Sequence, residues 1–150
     1  NWMKGFDIYT QIDRYLQSNN DFEFTYVGRY NKDYIPQKTK IVAPLHGTEL
    51  GEELRKHDIY VTASRWEPCG MHHVEGAASG LPTLFHKEGG GINELCIQHG
   101  HEYSNFDTFL QQLSLLKESF HATRKKINYE NIDIMNCCRK YYNIVKFMVK

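Results

Sequence analysis

The chain has 150 residues, and its 18 basic and 18 acidic side chains give a formal net charge of zero when histidine is neutral. A length of this order is typical of one domain with a core of its own. The lack of a basic excess argues against nucleic acid as a partner. An aromatic content of 13% argues against intrinsic disorder.

The four cysteines predict a reduced protein. Cys69, Cys96, Cys137 and Cys138 form no C-x-x-C pair, so we expect neither a disulfide framework nor a structural zinc. The 150 residues contain no signal-peptide pattern and no apolar run of membrane-spanning length. We therefore expect a cytoplasmic protein, and peripheral contact with the inner face of a membrane stays open.

The chain opens on a predicted helix. Lys4 and Gly5 precede apolar residues at helical spacing, namely Phe6, Ile8, Tyr9, Ile12, Tyr15 and Leu16. A parallel α/β domain normally opens with a buried strand, and none precedes Asn1. We therefore expect the first strand, and an upstream domain with it, to precede Asn1 in a longer protein.

Short strands and a helix follow this first helix. The pattern predicts a strand at 22–27, a polar loop at 31–38, a strand at 40–43, a turn at 44–47 and a helix at 48–56.

The stretch 58–80 predicts a strand, a loop and a helix. Residues 59–62 are an apolar run, Pro68 and Gly70 break the chain, and 71–79 are small and apolar. The unpaired N–H groups that open a helix suit an anion or a sugar hydroxyl. Glu67 on the loop and Glu75 on the helix could reach each side of such a group. Because the neighbours of Glu75 are small or apolar, we expect its carboxylate to be buried beside a partner.

The remaining chain continues the alternation. We predict a strand at 82–86, a glycine-rich loop at 87–91, a short helix from Glu94, a strand within 100–105, a helix at 106–120, a basic segment at 122–128 and a long helix at 132–149. Alternating strands and helices predict an α/β, Rossmann-like, three-layer fold with a parallel sheet covered on both faces. Ligands bind such sheets beyond the carboxyl ends of the strands.

Three segments carry a family resemblance, and they cover roughly residues 1–100. They read N-W-M-K-G at 1–5, S-R-W-E-P-C-G followed by E-G-A-A-S-G-L-P at 64–82, and G-G-G-I-N-E-L at 89–95. In this order they resemble the C-terminal, donor-binding domain of retaining GT-B glycosyltransferases of family 4, also called glycosyltransferase group 1. The two acids match the family's E-x7-E segment.

The resemblance implies an activity and a set of ligands. It implies a hexosyltransferase that moves a glycosyl group from a UDP-, GDP- or ADP-sugar to a saccharide, lipid or protein acceptor, with retention and without a metal or other cofactor. The acceptor would be held by an N-terminal GT-B domain. We expect residues 1–150 to form the nucleotide-sugar-binding domain and to be inactive alone.

The resemblance also implies roles for individual residues. Glu67 is the catalytic candidate and would hold hydroxyls of the donor sugar, while Glu75 would hold the ribose and Lys4 the diphosphate. The other expected donor-binding positions are Leu45 and His46 beside the base, the backbone N–H groups of Cys69, Gly70 and Met71, and Gly90 in the glycine-rich loop. We predict no metal site, because adjacent helix residues such as His72 and His73 diverge and cannot chelate one ion.

Plainer interpretations remain for these features. Lys4 could be a solvated lysine, Glu75 a surface charge and Gly90 part of an ordinary loop. The chain could be a nucleotide-sugar-binding module without turnover, or part of a non-hydrolysing sugar-nucleotide epimerase, although the E-x7-E spacing favours transfer. The terminal helix at 128–149 could pack on the sheet or on the absent N-terminal domain.

Overall fold

Strands and helices alternate in the computed structural model, which describes residues 2–148. After a 3-10 turn at Trp2–Lys4, the helices are α1 Phe6–Leu16, α2 Gly47–Leu54, α3 His72–Ala78, α4 Asn93–Cys96, α5 Phe106–Glu118, α6 Phe120–Arg124, α7 Tyr129–Ile132 and α8 Ile134–Met148. The strands are β1 Thr25–Val27, β2 Lys40–Val42, β3 Tyr60–Thr62, β4 Thr83–His86 and β5 Gly100–Tyr103.

All strand pairs are parallel, as the alternation predicts. Hydrogen bonds join β1 to β2 in one sheet and β3, β4 and β5, in that order, in a second sheet. Parallel sheets with flanking helices confirm the Rossmann-like α/β fold. Because β3 and β4 run in the same direction, the loops that follow them leave the same edge of the sheet.

The core forms where α1 meets both sheets. Its buried members are Ile8, Tyr9, Ile12, Leu16, Tyr34, Ala63, Leu84, Tyr103, Phe109 and Leu116. The backbone N–H of Ala63, just after β3, donates to the hydroxyl of Tyr9 at 3.1 Å. The hydroxyl of Tyr103 donates to the carbonyl of Thr62 at 3.0 Å. These buried bonds fix α1 and β5 against the carboxyl end of β3.

A buried carboxylate holds the loop before β2. Asp13 on α1 accepts the backbone N–H groups of Gln37, Lys38 and Thr39 at 2.9, 2.9 and 2.6 Å. Burial would raise the pKa of Asp13, but these backbone hydrogen bonds outweigh it and lower the pKa to about 2. The carboxylate therefore serves as a fixed anchor for this loop.

Two predicted elements have different bounds in the structure. The aromatic run at 22–27 is assigned as a strand only over Thr25–Val27, while Phe22 and Phe24 pack against the core and the Phe24 carbonyl still accepts the Lys40 N–H at 2.9 Å. The long helix predicted at 132–149 is divided at Asp133, whose backbone is extended with a ψ of 120°. The Asp133 carboxylate then accepts the Met135 N–H at 2.9 Å and starts α8. Residue 149 lies outside the described residues.

Helix α8 has no buried residue. Its exposed apolar side chains are Ile134, Met135, Tyr141, Tyr142, Ile144, Val145, Phe147 and Met148. The described residues of α8 therefore do not show the first alternative for the terminal helix, which is packing on the sheet. No helix among residues 2–148 combines the length and the apolar character needed to cross a membrane.

Candidate functional site

The turn before α1 lies directly on the carboxyl end of β3. Gly5 has a φ of 71°, and a Cβ there would stand 2.2 Å from the Cβ and 2.3 Å from the carbonyl oxygen of Ala63. The carbonyl of Met3 accepts the backbone N–H of Arg65 at 2.8 Å. Only glycine fits this conformation and this contact. The close approach delivers Lys4 to the edge of the three-stranded sheet.

A buried arginine ties the same two segments together. The Arg65 guanidinium, 6% exposed, donates to both carboxylate oxygens of Asp7 at 2.8 Å and to the carbonyl of Trp2 at 2.9 Å. Hydrogen bonding to Asp7 raises the pKa of Arg65, and the same bond lowers the pKa of Asp7. Sequence reasoning missed both residues, although an aspartate in the first turn of α1 is visible in the chain.

Lys4 and Glu67, two of the predicted site residues, form an ion pair. The Lys4 Nζ donates to Glu67 Oε2 at 2.7 Å, and the two side chains are 53% and 20% exposed. The hydrogen bond and charge of Lys4 lower the pKa of Glu67, so its carboxylate stays ionised. An ammonium and a carboxylate thus lie side by side at the carboxyl edge of the sheet.

The glycine-rich loop pairs with the segment that carries Glu67. The Glu67 N–H donates to the carbonyl of Gly89 at 3.0 Å, and the Gly91 N–H donates to the carbonyl of Glu67 at 3.1 Å. Gly90 has a φ of 79°, and a Cβ there would stand 3.0 Å from the Glu67 carbonyl oxygen. The structure therefore brings Lys4, Glu67 and Gly90 together, as the three motifs predict.

The Cys69–Met71 segment leads from this cluster into α3. A Cβ on Gly70 would stand 2.8 Å from the Glu67 Cγ and 3.0 Å from His72 Nε2, so the turn is tightly closed. Cys69 and Met71 are exposed on its outer side. The predicted donor-binding turn is thus adjacent to Glu67 and open to solvent.

Glu75 differs from its prediction. The buried face of α3 consists of His73, Gly76 and Ala77, with the Tyr60 ring packed so closely on Gly76 that a Cβ would approach it to 2.6 Å. Glu75 points off this face and is exposed. The expectation of a buried, partnered carboxylate is therefore wrong. Within residues 2–148, no hydrogen bond or ion pair joins Glu75 to Lys4 or Glu67.

Leu45 and His46 follow β2 in the other sheet. His46 is exposed and caps α2 with an extended backbone, and Leu45 is half-buried. The hydrogen bonds and ion pairs of the described residues do not connect either residue to the Lys4–Glu67 pair. No described hydrogen bond or ion pair therefore links these two predicted positions to the cluster.

The two adjacent histidines, His72 and His73, lie at the start of α3 beside the Gly70 turn. The Tyr60 hydroxyl and His72 Nδ1 share a hydrogen bond of 3.1 Å. Burial lowers the pKa of His72 to about 4 and also lowers the pKa of His73, so both rings are neutral near pH 7. In the part of the chain that the structure describes, no three His, Cys, Asp or Glu side chains are grouped to hold a metal ion.

Fold and cluster together define a Rossmann-like α/β domain of the GT-B glycosyltransferase kind. The family model described as glycosyl transferases group 1 matches residues 2–114. The chain belongs to this family, as the three motifs predict.

A solved glycosyltransferase has a similar fold. WaaG, described as a glycosyltransferase involved in lipopolysaccharide biosynthesis, superposes with a TM-score of 0.65 at 13% identity over 86% of this chain. The match spans 39% of the WaaG chain. At this identity the likeness concerns the fold alone. A search of curated proteins gave no significant match.

Proposed function

We propose that the chain is the donor-binding domain of a retaining glycosyltransferase that uses a nucleoside-diphosphate sugar without a metal ion. The observation that carries this proposal is the Lys4–Glu67 ion pair at the carboxyl edge of the three-stranded sheet, backed by the glycine-rich loop. Ligands of open α/β sheets bind at this edge.

The Lys4–Glu67 ion pair suits a nucleoside-diphosphate sugar, because Lys4 can bind the diphosphate and Glu67 can bind the sugar. The half-exposed Lys4 ammonium can move to the diphosphate as a compact point charge. Its departure frees the Glu67 carboxylate to accept hydroxyls of the donor sugar. Lys4 would then stabilise the leaving diphosphate, on which negative charge develops during transfer.

The other predicted positions complete this proposal. The exposed Glu75 carboxylate would accept the ribose hydroxyls, and the backbone N–H groups of Cys69, Gly70 and Met71 would meet the sugar or the phosphate. Leu45 and His46 would lie beside the base. Exposure of Glu75, Met71 and His46 to solvent supports access of a ligand.

The acceptor would be held by another domain. The chain covers 39% of WaaG, and we propose that the complete enzyme has an N-terminal GT-B domain that binds a saccharide, lipid or protein acceptor. The enzyme would act in the cytoplasm, at the inner face of a membrane where the acceptor is a lipid. Residues 1–150 alone would bind the donor and transfer nothing.

Isothermal titration calorimetry tests the proposal. The chain is titrated with UDP, GDP, ADP and the corresponding glucose nucleotides, and at least one diphosphate should bind. Lys4→Met should weaken that binding about tenfold, because one charge-assisted hydrogen bond is lost. Glu75→Gln should weaken it by a similar factor.

Matched controls are Lys117→Met on α5 and Glu49→Gln in the first turn of α2, which should leave the affinity unchanged. Absence of binding by the unmodified chain would refute the proposal. Conversion of UDP-N-acetylglucosamine to its 2-epimer would identify the epimerase alternative instead.

A further inference from the structure

The backbone of Trp66 adopts a conformation that few residues other than glycine occupy. Its φ is 52°, and no other residue with a side chain in the described part of the chain has a positive φ. Such a conformation is strained in a bulky residue. The flanking backbone imposes it, because the Trp66 N–H donates to the Glu88 carbonyl at 2.7 Å and the Glu67 N–H to the Gly89 carbonyl at 3.0 Å.

Burial of the indole does not offset this strain. The Trp66 side chain is 63% exposed, so the left-handed backbone turns a large aromatic ring toward solvent rather than into the core. Strain at a position that gains little burial points to a functional requirement.

A second exposed tryptophan meets the first. The ring centroids of Trp2 and Trp66 lie 4.8 Å apart with an interplanar angle of 73°, and Trp2 is 47% exposed. The Arg65 guanidinium stands 5.0 Å from the Trp2 ring centroid and also donates to the Trp2 carbonyl. Because Asp7 holds Arg65, Arg65 in turn holds Trp2 in place beside Trp66. We call Trp2 and Trp66 the indole pair.

We propose that the indole pair is a binding platform for a pyranose ring. A pyranose has an apolar face of C–H groups and a rim of hydroxyls. The indole pair offers exposed aromatic surface for the face, and a carboxylate and an ammonium follow it directly in the chain, since Trp66 precedes Glu67 and Trp2 stands two positions before Lys4. Aromatic surface with a few convergent polar groups is the usual composition of a small-molecule site.

The platform deepens the proposed function and rests on it. The pyranose could be the glycosyl group of the donor or a sugar of the acceptor, and both present the same C–H face and hydroxyl rim. A donor sugar would reach the platform only as part of its nucleotide, whereas an acceptor sugar would bind without one.

The chain offers a selective probe, because it contains two tryptophans and both are in the platform. Their indole N–H resonances are followed by nuclear magnetic resonance in the 150-residue chain. The additions are UDP, GDP and ADP, their glucose, galactose and N-acetylglucosamine nucleotides, and the methyl glycosides and disaccharides of the same sugars.

A saturable shift with a sugar nucleotide that exceeds the shift with its diphosphate indicates the donor sugar. A saturable shift with a free saccharide indicates the acceptor sugar. Diphosphate binding without any saccharide-dependent indole shift overturns the platform and leaves the proposed function standing. Absence of both diphosphate binding and a saccharide-dependent shift overturns both, whereas a saccharide shift without diphosphate binding overturns only the proposed function.

Variants separate recognition from structural support. Trp66→Gly removes the ring and relieves the positive φ, so its urea midpoint should not fall below that of the unmodified chain, while saccharide affinity should fall about tenfold. Trp66→Phe should retain most of that affinity. A loss of stability in Trp66→Gly with unchanged saccharide affinity would show that the ring only packs.

Discussion

Gly5 and Ala63 touch so closely that the glycine has no room for a side chain. This contact sets the distance between the start of α1 and the end of β3. It therefore determines where Lys4 stands relative to Glu67, although neither Gly5 nor Ala63 carries a polar side chain.

Gly5→Ala should destabilise the chain and displace Lys4. The added methyl group would meet both Ala63 and an unfavourable φ of 71°, which together should cost about 2–4 kcal/mol. Urea unfolding followed by circular dichroism measures the loss. Gly47→Ala is the matched control, because Gly47 also has a positive φ of 54° but nothing within 4 Å of its would-be Cβ. Equal losses in the two variants would mean that the contact with Ala63 is unimportant.

Asp7→Asn should weaken the connection between α1 and β3. The buried Arg65 guanidinium would lose the nearer of its two carboxylate partners and keep Glu88 at 3.8 Å, and we expect a loss of about 1–2 kcal/mol, moderated because Asp7 itself is 44% exposed. Asp107→Asn, in the first turn of α5, controls for the effect of a charge near a helix start. The comparison is made by urea unfolding at neutral pH, and a variant as stable as the control would contradict the role of Arg65.

Asp13 should make the stability of the chain depend on acidity. Its pKa of about 2 in the folded chain lies below the value of about 3.9 in an unfolded chain. The ionised carboxylate therefore contributes fully above about pH 4, and its contribution of about 2–3 kcal/mol is lost as the pH falls through about 2. As the pH is lowered through this range, the urea concentration at the midpoint of unfolding should fall more steeply for the unmodified chain than for Asp13→Asn.

The exposed Asp58 provides the control for that experiment, since Asp58→Asn should keep the steep dependence. Parallel curves for the unmodified chain and Asp13→Asn would indicate that the three backbone bonds do not distinguish the charged from the neutral side chain.

Glu67→Gln should change the affinity for the diphosphate and the affinity for the sugar in different ways. Without the competing carboxylate, Lys4 is free to meet the diphosphate, so the affinity for the bound nucleoside diphosphate should stay equal or rise a few-fold. The additional affinity for its sugar derivative should fall about tenfold, because a carboxylate accepts hydroxyls more strongly than an amide does. Calorimetry measures both affinities. Equal losses for diphosphate and sugar nucleotide would contradict the division of roles.

Local patterns were enough to predict most elements and part of the site. The periodicity of 6–16, the apolar run before Ser64 and the glycines at 89–91 each have short-range causes. Parallel connection then brings the loops after β3 and β4 to one edge, which is why Glu67 and Gly90 meet, and the Gly5–Ala63 contact adds Lys4 to them.

Long-range contacts and backbone conformation were not predictable in this way. Arg65 pairs with Asp7, which lies 58 positions earlier in the chain, and no local pattern shows that the Arg65 guanidinium is buried. The positive φ of Trp66 depends on hydrogen bonds to the glycine-rich loop. The exposure of Glu75 was not predicted because small neighbours indicate a packed helix without showing which side of it is packed.

The isolation of α8 has a consequence for its motions. With none of its side chains buried, tertiary packing does little to hold this helix in shape. An isolated helix of this length is marginal in water. Its amide hydrogens should therefore exchange with deuterium through local fraying, independently of the opening of the two sheets, until something covers its apolar face.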